Sequence, residues 1–131
     1  MRDPHRQPEN AKDLEELCAA LAEGLGLDVR RQLPVGRRIW GARRRIDVVL
    51  TDRDSRRALG IECKFQGSKG TAEEKIPATI QDIAAWPIDG LICFAGPGFT
   101  EHIRYYMLST GKGVEFSDLE AWLRLYFLIA E

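Results

Sequence analysis

Two short β-rich runs carry the residues of this chain best suited to chemistry. Arg45-Ile46-Asp47-Val48-Val49-Leu50 delivers one carboxylate, and Ile61-Glu62-Cys63-Lys64-Phe65-Gln66 delivers a second, followed by a lysine and a glutamine at alternate positions. Side chains alternate across a strand, so Glu62, Lys64 and Gln66 are expected on one face and Ile61, Cys63 and Phe65 on the other, a chemical face backed by an apolar one. Two carboxylates on neighbouring strands with an ammonium group beside them match what a hard divalent cation and a phosphodiester require. Magnesium keeps several waters, so one or two carboxylates, a backbone carbonyl and a phosphate oxygen complete its octahedron. Asp47 and Glu62 are the expected ligands, with the Cys63 carbonyl as a third. Lys64 would either stabilise charge developing on the phosphate or orient an attacking water, whose pKa the cation lowers. Gln66, on the same face, would hydrogen-bond that water or phosphate.

Charge surrounds the motif unevenly. A formal net charge of −1 predicts no nucleic-acid partner by itself. Between positions 30 and 57, however, stand Arg30, Arg31, Arg37, Arg38, Arg43, Arg44, Arg45, Arg53, Arg56 and Arg57, opposed only by Asp47, Asp52 and Asp54. The planar fork of arginine suits bidentate contact with phosphate or guanine. Arg37, Arg38, Arg43 and Arg44 are therefore expected to bind nucleic acid, with Lys69, Lys75 and Gln81 as further contacts. Trp40 either stacks on a base or enters a groove, or packs as a satellite of the core.

The elements that must position these residues follow from periodicity and punctuation. Residues 1–9, with two prolines and mixed charge, are expected to form a flexible terminus, and residues 10–131 a single domain. From Asn10, Leu14, Leu17, Cys18, Leu21 and Leu25 trace one apolar stripe of a helix closed by Gly24 and Gly26. Strands are predicted over 27–33, ending at Pro34-Val35-Gly36, then over 44–51 and 58–65, with an arginine-rich tip between the first two. A turn leads into a helix with Pro77 at its first position, running to Trp86. A buried strand over 89–95 follows, then a helix over 99–109, a short strand over 113–116, and a last helix capped by Ser117. The order α-β-β-β-α-β-α-β-α predicts an α/β fold. An antiparallel meander joins a crossover strand in a mixed sheet flanked by helices.

Other classes are not supported. Cys18, Cys63 and Cys93 are odd in number, far apart and set among apolar residues, which predicts reduced buried thiols rather than disulfides or a zinc site. No run of eighteen apolar residues and no leader pattern occurs, so neither a membrane span nor export is predicted, and an intracellular, cytoplasmic chain is expected. The final helix, with Leu119, Trp122, Leu123, Tyr126, Phe127, Leu128 and Ile129, is apolar over more than one stripe. Either core burial or a homodimer interface accounts for it. The 99–109 helix, with Tyr105 and Tyr106, is the other surface suited to a dimer.

Ile46-Asp47, fourteen intervening residues, then Glu62-Cys63-Lys64 resembles the PD-(D/E)XK nuclease superfamily. The resemblance spans about residues 13–95 and leaves the terminal helix outside. It implies a restriction-endonuclease-like mixed sheet, magnesium as cofactor with manganese able to substitute, and DNA as substrate. It also carries Asp47 and Glu62 into metal binding and Lys64 into phosphodiester hydrolysis. One departure is that the proline preceding the first acid is Ile46 here. Many members also place an acid on the first helix about eleven residues before its closing glycine. Glu15 stands eleven before Gly26, at the border of the apolar stripe, and is the further metal ligand the resemblance implies. The expected activity is that of a metal-dependent DNA endonuclease of restriction-like, homing-type or junction-resolving kind. The alternatives are a catalytically silent nucleic-acid-binding module of the same fold, and a small α/β protein whose arginines bind an acidic partner.

Overall fold

In the computed structural model, which describes residues 6–37 and 41–130, helix α1 (Ala11–Gly24) begins where the Asn10 side chain accepts the Asp13 N–H at 2.8 Å. That bond satisfies one of the donors a helix start leaves orphaned. Leu14, Leu17, Cys18 and Leu21 form its buried stripe. Gly26, at φ 86°, then turns the chain in the left-handed region open to glycine.

Among the described residues five strands follow: β1 (Asp28–Arg37), β2 (Arg43–Thr51), β3 (Ala58–Phe65), β4 (Asp89–Ala95) and β5 (Gly113–Glu115). They pair in sequence order, β1-β2-β3-β4-β5. The first two pairings are antiparallel and the last two parallel. Between β3 and β4 run a 3₁₀ turn (Thr71–Lys75) and α2 (Ile76–Ala84), with Pro77 in its first turn. Thr100 caps α3 (Glu101–Ser109) by accepting the Ile103 N–H at 3.3 Å. A second 3₁₀ turn (Phe116–Asp118) leads into α4 (Leu119–Tyr126).

Most boundaries shift by one or two residues, the helix expected from Pro77 to Trp86 running from Ile76 to Ala84 and the one expected from 99 starting at Glu101, and two differences go further. β1 does not stop at Pro34 but continues to Arg37, because an edge strand can hold a proline whose missing N–H costs little pairing. Ser117 does not cap α4. The 3₁₀ turn intervenes, and no side-chain cap bond forms.

The sheet is covered on both sides. α1 and α4 pack with Val48, Leu50, Ile61, Cys63, Leu91 and Cys93 in one apolar layer. Ile76, Ile83 and Trp86 from the α2 segment and Ile103 and Met107 from α3 pack with Ile46, Val49, Ile92 and Phe94 in the other. Gly60 and Gly90, paired across β3 and β4, leave the space that the Trp86 ring occupies; a Cβ on either would come within 2.7 Å of a Trp86 ring carbon. This covering encloses both faces of β3. Parallel pairing with β4 places β3 inside the sheet, and Glu62 is only 8% exposed.

Candidate active site

The site forms where β2 and β3 part. Their ladder runs from Thr51↔Ala58 to Val48↔Ile61 and goes no further. Beyond it the Cys63 N–H, a donor that would otherwise seek a β2 carbonyl, donates to Asp47 Oδ2 at 2.9 Å. A carboxylate thus takes the place of a backbone acceptor.

Asp47 can do this because the alternation of β2 breaks around it. Val48 and Leu50 face the α1 layer, whereas Ile46 and Val49 face the α2 layer. The same break occurs in β1. Val29 packs on the α1 layer and Leu33 and Val35 on the other, with Gln32 between them at φ 53°. Arg31↔Val48 and Leu33↔Ile46 are paired, so Gln32 stands opposite Asp47. Gln32 Nε2 donates to Asp47 Oδ1 at 3.2 Å and to Glu15 Oε1 at 2.8 Å. Arg31 pairs with Glu15 Oε2 at 3.3 Å. One amide therefore joins an acid from helix α1 to an acid from strand β2.

Glu62 and Lys64 share a face of β3, with Lys64 Nζ 3.6 Å from Glu62 Oε2. Between them the Cys63 side chain points into the opposite layer, where its Sγ lies 3.9 Å from Cys18 Sγ. That contact, then burial, then the nearby carboxylates of Asp47 and Glu15, push the Cys63 thiol well above the usual range. All three cysteines are free and buried, as their sequence setting predicts.

Gln66 is 6% exposed and wedged against the turn after β4. Its Nε2 donates to the Gly98 carbonyl at 3.0 Å, and its own carbonyl accepts the Gly98 N–H at 2.8 Å. The remaining side-chain atom, Oε1, is buried with no hydrogen-bond partner among the described residues.

Of the basic residues, Arg43 is exposed, and Arg37 is exposed with one donor on the Gly41 carbonyl at 3.0 Å. Arg44 is turned inward, its Nε 2.9 Å from Asp82 Oδ1 on α2. Lys69, Lys75 and Gln81 are exposed. Arg38 and Trp40 lie outside the described residues. Sequence reasoning missed Gln32 and Arg31 as members of the site, and no motif marks them. It also passed over Arg45, exposed two residues before Asp47.

The donor set fits a hard divalent cation. Asp47 and Glu15 offer carboxylate oxygens from one cluster, and among the described residues no group of three His, Cys, Asp or Glu side chains is gathered to hold an ion. Two carboxylates suffice for an ion that retains most of its waters.

These features place the chain in a defined class. It belongs to the PD-(D/E)XK nuclease superfamily, whose domain model matches residues 6–115. The match extends past the site through β5 and leaves α4 outside. No curated protein matches significantly. Among solved structures, the protein of unknown function AF1548 is 23% identical with a TM-score of 0.56, over 82% of this chain and 59% of that one. Protein VC1899 from Vibrio cholerae is 15% identical with a TM-score of 0.59, over 92% of this chain and 34% of that one. Both show the fold, and this chain spans less than two thirds of either. Among the described residues no helix is long and apolar enough to cross a membrane.

Proposed function

We propose that this chain hydrolyses phosphodiester bonds in DNA as a divalent-metal-dependent endonuclease of restriction-like, homing-type or junction-resolving kind. The observation that carries the reading is the placement of Asp47. Its carboxylate is bonded to the backbone of the Glu62-Cys63-Lys64 segment and linked through Gln32 to Glu15.

Asp47, Glu62 and Glu15, with the Cys63 carbonyl, would hold magnesium, with manganese able to substitute. When bound, such an ion supplies Lewis-acid activation of water and neutralises charge at the phosphate. Lys64, half-buried at the end of β3, would donate to a phosphate oxygen as negative charge builds there. Gln66 would accept a hydrogen bond from a water through its buried Oε1, unpartnered among the described residues. The exposed Arg37, Arg43 and Arg45, with Lys69, Lys75 and Gln81, would hold the DNA backbone; Arg38 and Trp40, outside the described residues, are proposed as contacts from the sequence alone. Two active centres related by a two-fold axis would cut both strands. Leu125 and Leu128 at the α4 end, 77% and 79% exposed, or Tyr105 and Tyr106 on α3, would form the homodimer contact.

A second reading, a silent nucleic-acid-binding module, is favoured by two observations: Lys64 is paired with Glu62, and no group of three His, Cys, Asp or Glu side chains is gathered among the described residues. One assay separates the two. Labelled linear, single-stranded, nicked and four-way-junction DNA is incubated with the protein and magnesium, manganese or chelator. Metal-dependent cleavage of any substrate supports the nuclease. Salt-sensitive binding without cleavage supports the silent module.

A further inference from the structure

We infer that Gln32 is a positioning residue that builds the cation site by tying Glu15 to Asp47, an inference that rests on the nuclease reading of that site. The first observation is backbone strain. Gln32 has φ 53°, a conformation that glycine adopts freely and residues with long side chains rarely do. Strain of this kind persists where the surrounding structure holds it, and it collects at functional sites.

The second observation is the coincidence of two defects. Alternation fails in β1 at Gln32 and in β2 at Asp47, and the two residues stand opposite each other between the pairs Arg31↔Val48 and Leu33↔Ile46. A break in one strand alone would have sent the two side chains to opposite faces of the sheet.

The third is the bonding. Glu15 and Asp47 come from different elements and carry like charges, so left alone they repel. Gln32 Nε2 has two hydrogens, and the two carboxylates accept them at 2.8 and 3.2 Å. Each acid is steadied at its other oxygen as well, Glu15 by Arg31 at 3.3 Å and Asp47 by the Cys63 N–H at 2.9 Å. Every carboxylate oxygen has a second lone pair, so these bonds orient the acids without exhausting them. The amide is neutral, so it gathers the negative charge that attracts a cation and does not cancel it. Arginine or lysine in its place would add a second positive charge to that of Arg31 and cancel the charge of the pair.

The test measures Mn²⁺ binding to the full chain by electron paramagnetic resonance, beside thermal unfolding and cleavage, for wild type, Gln32→Gly and Gln32→Leu. Gln32→Gly removes the donors and relieves the backbone, whereas Gln32→Leu removes the donors and keeps most of the volume. The Mn²⁺ Kd is expected to rise about 10- to 100-fold in both, as when outer partners of metal ligands are lost. The unfolding midpoint of Gln32→Gly should match or exceed that of wild type. A residue with only a structural role would lower that midpoint and leave Kd alone. If wild type binds Mn²⁺ and cleaves DNA while both variants bind it equally well, Gln32 has no positioning role and the nuclease reading stands. If wild type neither binds Mn²⁺ nor cleaves, both inferences are overturned.

Discussion

Replacing Asp47 by alanine and by asparagine separates two tasks that one carboxylate performs. The structural task is to accept the Cys63 N–H at 2.9 Å where the β2–β3 ladder ends, and the Gln32 amide at 3.2 Å. Alanine leaves the Cys63 N–H without its acceptor, a loss of about 1–3 kcal/mol for a buried donor. The bond is only part-buried, so water recovers some of it and about 1–2 kcal/mol is the expected cost. Asparagine retains an oxygen for Cys63 and should be more stable than the alanine variant by about 1 kcal/mol. In a domain of this size that difference moves the unfolding midpoint by about 4 °C. The proposed chemical task is to supply negative charge to a cation, which neither substitute can do as well, so on the nuclease reading both variants should lose cleavage and Mn²⁺ binding alike. Calorimetric melting beside cleavage of labelled DNA reads both tasks in one pair of proteins. Cleavage surviving in either variant would remove Asp47 from the site. An alanine variant as stable as wild type would refute the claim that the carboxylate replaces a ladder acceptor.

Lys64→Ala should keep the fold and Mn²⁺ binding, because the ammonium is 34% exposed, while abolishing turnover; a melt, a metal titration and a single-turnover assay check it. Replacing Arg37, Arg43 and Arg45 together by alanine should weaken binding to all DNA sequences and flatten its salt dependence, whereas Arg44→Ala should lower thermal stability by removing the Arg44–Asp82 contact between β2 and α2. An unchanged salt slope in the triple variant would show that those arginines are only solvated. Gly90→Ala should cost about 1–3 kcal/mol in urea unfolding, since the added methyl meets Ile83 and Trp86 in a filled layer. Sedimentation at micromolar concentration should show a dimer dispersed by Leu125→Glu with Leu128→Glu or by Tyr105→Glu with Tyr106→Glu, and a strict monomer that makes double-strand breaks would refute the two-centre arrangement.

The order of the elements was legible in the sequence because it rests on local signals: the stripe Leu14, Leu17, Cys18, Leu21 following Asn10, Pro77 near a helix start, and the apolar run of β4. The bounds of β3 and β4 were read to the residue for the same reason. The acids Asp47 and Glu62 and the lysine were legible because a carboxylate inside a β-rich run conflicts with burial unless something requires it. Alternation within a single strand, however, assumes an unbroken pleat, and at Asp47 the pleat is broken. Only pairing with β1 and the placing of α1 decide that break, which brings Gln32 and Glu15 to Asp47. The arginines follow the same division. Their clustering is a property of the chain, but Arg44 turns inward because Asp82, thirty-eight positions away on α2, meets it there. Composition could announce that this protein carries acids, a lysine and a basic belt. Which of those charges are spent on one another, and which remain for a ligand, was decided by contacts between residues distant in sequence, and electrostatics acts through distance in space.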